Sequence, residues 1–166
     1  MTFGMQVQPQ ERDRRIGGQC HSRRCTLSRR EGRIPDMATD GTKRILVVDD
    51  DISTRMVVRK IFENASSARF EVHEAVNGAE CVKTVRCQPP FDLILLDVEM
   101  PGMNGFEACR ALRQIDAAVP VVFVTSHSDL EKRKEGRAAG GSSFLPKPVP
   151  PVTLLTLVNK LAVSES

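Results

Sequence analysis

The chain has 166 residues, 40% of them hydrophobic, with no tryptophan or tyrosine and a formal net charge of +3. That length suffices for one domain with a proper core and some excess, and no apolar run approaches the roughly 20 residues a membrane span needs. Arginines recur from Arg12 to Arg33 and break up the apolar residues there, so the start of the chain does not read as a secretory signal.

Residues 1–42 hold eight arginines and no lysine against five acids, which accounts for the whole positive excess; residues 43–166 balance sixteen basic against sixteen acidic groups. The basic balance therefore says nothing about the globular part and argues against nucleic-acid binding by it. Rich in Arg, Gly, Gln and Ser, with Pro9 and Pro35 as breakers, residues 1–42 cannot bury enough apolar surface to offset ordering entropy and are expected to be disordered. Arg23-Arg24 and Arg29-Arg30 fit a solvated tail or a contact with an acidic partner. Met37-Ala38-Thr39 resembles a natural start, so residues 1–36 are expected to be an upstream extension of little function. The five cysteines (Cys20, Cys25, Cys81, Cys87, Cys109) form no pair of zinc-like spacings, and no second pair joins His21 and Cys20; reduced thiols in a cytoplasmic protein are the expectation.

Order begins at Lys43. Ile45–Val48 is a short β-branched run ending in Asp49-Asp50-Asp51. Helical spacing follows, with Met56, Val57, Val58, Ile61 and Phe62 on one face. Phe70–Ala75 alternates as a second strand, and Asn77-Gly78 turns into a helix carrying Ala79, Cys81, Val82 and Val85, closed by Pro89-Pro90. Leu93–Leu96 is an apolar run ending in Asp97, with Pro101-Gly102 soon after: a strand buried on both faces. Phe106, Ala108, Cys109, Leu112 and Ile115 give a third helix; Val119–Val124 is a fourth strand with Pro120 at its start. Ser128–Ala139 is charged, carries Gly136 and reads as a weak, exposed fourth helix whose exit Gly140-Gly141 loosens; residues 127–142 are expected to be the most mobile ordered part. Ser143–Leu145 is a short fifth strand, and residues 152–161 form the last helix before a tail at 164–166. Five β-α units in strict alternation imply an α/β fold, a parallel sheet with helices on both faces.

Every strand end that carries chemistry carries it at the same edge: Asp49-Asp50 after the first, Asp97 after the third, Thr125-Ser126 after the fourth, Lys147 after the fifth. In a parallel sheet these ends share one crevice. Three neighbouring carboxylates resist ionisation, a conflict that a hard divalent cation such as Mg2+ resolves. A lysine and a hydroxyl beside that cation point to an anion with several oxygens, and a phosphoryl group satisfies all of them.

From Lys43 to Val163 the chain resembles the receiver domain of bacterial two-component response regulators. The resemblance rests on ILVVDD at 45–50, LILLDVEMPGMNG at 93–105, VFVTS at 122–126 and Lys147-Pro148, with separations of 48, 28 and 22 residues between Asp49, Asp97, Thr125 and Lys147. It implies a doubly wound, flavodoxin-like sheet of five parallel strands in the order 2-1-3-4-5 with five helices. It also implies roles. Asp97 would be the phosphoacceptor. Asp49, Asp50, Asp97 and the main-chain carbonyl of Glu99 would hold Mg2+. Thr125 would hydrogen-bond the phosphoryl group and Lys147 would pair with it. Thr125 and Phe144 would form the switch.

The donor would be a sensor histidine kinase or a histidine phosphotransfer protein. The target would dock on the face of the fourth helix, fifth strand and fifth helix. With no appended output domain in the sequence, the resemblance implies a stand-alone cytoplasmic switch, a monomer or weak homodimer rather than an enzyme, with no DNA-binding domain and no membrane anchor. A phosphorylation-independent interaction module on the same fold is the alternative. Asp51 is expected to charge a helix start rather than bind metal, and His127 to lie on the surface rather than relay phosphate. The Glu99 side chain is either a solvated loop acid or an influence on hydrolysis; Lys132-Arg133-Lys134 is either a wet helix face or a partner face.

Overall fold

A computed structural model of the chain describes residues 41–66, 68–88, 90–126 and 129–162. Most of the basic extension, His127, Ser128 and the tail at 164–166 lie outside the described residues. The elements alternate: β1 (Lys43–Val48), α1 (Ile52–Glu63), β2 (Phe70–Ala75), α2 (Gly78–Cys87), β3 (Leu93–Asp97), α3 (Gly105–Arg113), β4 (Val121–Thr125), α4 (Leu130–Ala138), β5 (Ser143–Pro146) and α5 (Pro151–Ala162). All five strands are parallel, in the order β2-β1-β3-β4-β5. The order reverses between β1 and β3, which opens a crevice at the C-terminal ends of those two strands.

Strand side chains alternate between two cores because successive Cβ atoms point to opposite faces. Leu46, Val48, Ile94, Leu96, Val121 and Phe123 face α2 and α3, where Cys81, Val85, Phe106, Cys109 and Leu112 are buried. Ile45, Val47, Leu93, Leu95, Val122, Val124 and Leu145 face α1 and α5, where Val58, Ile61, Phe62, Leu154 and Val158 are buried. Burial on both faces explains why β1, β3 and β4 are near-continuous apolar runs.

Three local expectations change. The buried stripe of α1 is Arg55, Val58, Ile61 and Phe62, whereas Met56 and Val57 are more than half exposed. Spacing alone favours the wrong edge of the helix, because the stripe contains a charge. Pro120 precedes β4 rather than opening it, and its carbonyl accepts from Ile94 N (2.9 Å). The exit of α4 is fastened, not loose. Gly140 adopts φ +93°, its carbonyl accepts from Arg113 Nε (3.0 Å) and Nη2 (2.6 Å), and Gly141 N donates to Gly136 O (2.9 Å). No helix among the described residues is long and apolar enough to cross a membrane.

Candidate functional site

The candidate acids, Thr125 and Lys147 stand at or just past the last rung of a strand ladder. Asp49 N donates to Ala75 O (3.2 Å), Val98 N to Val124 O (3.3 Å) and Lys147 N to Thr125 O (3.0 Å), so the ladders carry Asp49, Asp97, Thr125 and Lys147 to one edge. Gly105 lets α3 close down there: a β-carbon on it would overlap the Asp97 carbonyl oxygen. Asn104 caps α3 in a reciprocal box with Glu107, which fixes the turn after β3.

The side chains converge. Lys147 Nζ lies 2.8 Å from Asp49 Oδ2 and 3.1 Å from Asp97 Oδ2. Asp49, Asp97 and Thr125 are buried, while Asp50 is exposed at the mouth. Carboxylate oxygens of Asp49, Asp50 and Asp97 lie within 4.8 Å of one another, a hard-oxygen set that suits one small divalent cation. Burial, and then the charge of Asp49, push the Asp97 carboxyl above its usual range; Lys147 and the Glu99 amide, at 3.4 Å from Oδ1, act in the other direction. Burial disfavours the Lys147 ammonium, but its bonds to Asp49 and Asp97 outweigh that and raise its pKa.

Asp51 caps α1, accepting from Ser53 N (3.0 Å) and Thr54 N (3.2 Å), as expected of a helix-start charge. The main chain of Glu99 adjoins the site, but its side chain bonds Lys132 Nζ of α4 at 2.6 Å, a link spacing could not reveal. Phe144 is half-buried, with its ring 5.2 Å from that of Phe123 and directly beneath α4; a β-carbon on Gly136 would overlap Phe144 Cζ. Its position on β5, with β4 between it and the strand of Asp97, puts it beside the crevice rather than in it. His127 lies outside the described residues.

Arg55 was not legible as a site neighbour. It is 7% exposed, and its Nη1 donates to the carbonyl oxygens of Asp49 (2.7 Å) and Asp50 (3.3 Å). The available signal was a charge three residues before Val58 and seven before Phe62, on the stripe that a helix packed on a sheet must bury.

The response regulator receiver domain model matches residues 45–159. The transcriptional regulatory protein ResD of Bacillus subtilis is 36% identical over 123 residues, which cover 74% of this chain and 49% of ResD. The sensory/regulatory protein RpfC of Xanthomonas campestris is 35% identical over 125 residues, 73% of this chain but 17% of RpfC. The chain therefore spans half or less of these curated relatives. Among solved structures, the chemotaxis protein CheY4 of Vibrio cholerae matches with a TM-score of 0.67 and 34% identity, over 72% of this chain and 98% of CheY4. With the strand order, the acidic crevice and the match over most of its length, this chain belongs to the response regulator receiver domain family.

Proposed function

We propose that this receiver domain accepts a phosphoryl group on Asp97 from a phosphohistidine of a sensor histidine kinase or phosphotransfer protein, and that the added charge switches a protein-binding surface. The observation that carries the reading is the Lys147 ammonium bridging Asp49 and Asp97, beside buried Thr125 at the next strand end. An Asp97 carboxylate oxygen attacks phosphorus; the O–P bond forms as the P–N bond breaks, and the imidazole keeps the electron pair. Lys147 leaves its bridging position to pair with the phosphoryl oxygens, and the Thr125 hydroxyl donates to one of them. Asp49, Asp50, Asp97 and the Glu99 carbonyl form the donor set for Mg2+. When bound, the cation would offset charge on the phosphoryl oxygens.

Movement of Thr125 towards the phosphoryl group vacates space beside β5, into which Phe144 turns, and α4 rests on that ring. The surface switched is then α4, β5 and α5, and the target a protein. Operation of the receiver domain by itself is supported by the near end-to-end cover of CheY4. Its chemistry is confined to its own phosphorylation and dephosphorylation, in keeping with a signalling module.

Incubation with acetyl phosphate and Mg2+ tests the reading by intact mass. The expected result is one phosphoryl addition to the wild type and none to Asp97→Asn. A wild-type chain that takes no label from acetyl phosphate or from a cognate kinase would overturn it.

A further inference from the structure

A buried guanidinium in a helix packed on a sheet is costly unless its donors are used and its charge is paired. Arg55 meets both conditions, and the way it meets them is informative. Its Nε donates to Glu74 Oε2 of β2 (3.0 Å), and Glu74 also accepts from Arg59 Nε (2.8 Å). Its Nη1 donates to the main-chain carbonyls of Asp49 and Asp50, the two consecutive residues whose carboxylates border the crevice. The β1 ladder ends with the Asp49 amide on Ala75 O, and the chain turns at once into the Asp51 cap. Past that rung, among the described residues, neither carbonyl accepts from a main-chain amide. Arg55 takes that place from below, while Lys147 and the Asp51 amide (2.9 Å) hold the Asp49 carboxylate from above.

We infer that Arg55 is a positioning residue for the cation site: its guanidinium, anchored on Glu74, fixes the Asp49-Asp50 main chain so that both carboxylates face the crevice shared with Asp97. This rests on the reading that the crevice binds Mg2+. Hydrogen-bonded groups behind metal ligands set ligand orientation in this way, and their loss costs about 10- to 100-fold in metal affinity.

Charge and geometry make opposite predictions here. As a cation, Arg55 repels Mg2+, so a purely electrostatic role has Arg55→Gln bind the metal more tightly. As a positioning group, its loss leaves two carbonyls unheld and the carboxylates disordered, so binding weakens despite the removed charge. Arg59 is the internal control, because its side chain bonds Glu74 and, among the described residues, neither of those carbonyls.

Isothermal calorimetry of Mg2+ binding to the full chain separates these cases, with a thermal melt in EDTA to check folding. Arg55→Gln is expected to bind about tenfold more weakly than wild type, and Arg59→Gln to bind as wild type does. Arg55→Lys keeps the charge but loses the fork that reaches Glu74 and the carbonyls together, so it is also expected to weaken binding; it decides the matter if Arg55→Gln does not fold. Wild-type or tighter affinity in Arg55→Gln, wild-type affinity in Arg55→Lys, or equal weakening in Arg59→Gln overturns the inference alone. A wild-type chain that binds no Mg2+ overturns the metal reading first, and this inference with it.

Discussion

Helices α3 and α4 have nine residues each, and each is capped by an Asn or Asp side chain. They are held in opposite ways. α3 buries Gly105, Phe106, Ala108, Cys109 and Leu112 in the core. α4 buries only Gly136 within its span and hangs on polar links: Lys132–Glu99 at 2.6 Å, Arg110–Glu135 at 3.2 Å, and the Arg113 grip on Gly140 at its exit. Tight packing resists displacement because cores are close-packed and bistable rather than compliant. Exposed ion pairs exchange at little cost. α3 is therefore the firmly packed wall behind Asp97 and α4 the more loosely packed element; under the proposed function, α4 is the one that a new charge at Asp97 would move.

The largest expected contrast is in core truncation. Leu112→Ala in α3 should cost about 2–5 kcal/mol in urea unfolding. Leu130→Ala in α4, at a side chain 68% exposed, should stay within about 0.5 kcal/mol. Similar losses would dissolve the distinction. Next comes the contact beneath α4. Gly136→Ala gains helix propensity but sets a β-carbon against Phe144 and Phe123, so a net loss of about 1–3 kcal/mol is expected; a gain in stability would mean that the helix rides clear of the ring. Arg113→Met, which leaves the Gly140 carbonyl without its guanidinium, should cost about 1–3 kcal/mol and speed amide exchange at the end of α4 more than at its start.

The site between the two helices has its own pH signature. A carboxyl whose pKa is raised by folding binds its proton more tightly in the folded chain. Asp97 therefore opposes stability above its folded-state pKa, and that opposition is relieved as pH falls through this value towards the unfolded one. In EDTA, Asp97→Asn should melt at a higher temperature than wild type at pH 7, with the gap closing on acidification. A gap that widens instead would assign the Lys147 pairing more weight than burial. The smallest effect belongs to the Lys132–Glu99 link. Lys132→Ala should change stability by less than about 1 kcal/mol, yet raise exchange in the first turn of α4, in a way that high salt reproduces in the wild type.

The strand–helix alternation and the residues at the strand ends were legible because both follow from short-range pattern. An apolar run of four ending in acid, found at 45–48 and again at 93–96, needs no knowledge of contacts to interpret. Three features were not legible for a shared reason. The turn of α1 that puts Arg55 inward and Met56 outward depends on Glu74 of β2, 19 residues away. The Glu99–Lys132 link spans 33 residues, and the Arg113–Gly140 clamp spans 27. Long polar side chains choose partners only after the sheet has placed them, so Gly140-Gly141 reads as a loose exit until Arg113 is seen across from it.

Amide exchange in α3 and α4, measured on the chain before and after labelling by acetyl phosphate and Mg2+, tests the account most directly. Faster exchange in 130–138 than in 105–113 is expected beforehand, with a changed rate in 130–138 on labelling, an unchanged rate in 105–113, and no response in Asp97→Asn. Labelled protein in which α4 keeps its rate, or in which α3 shifts as much as α4, would contradict it.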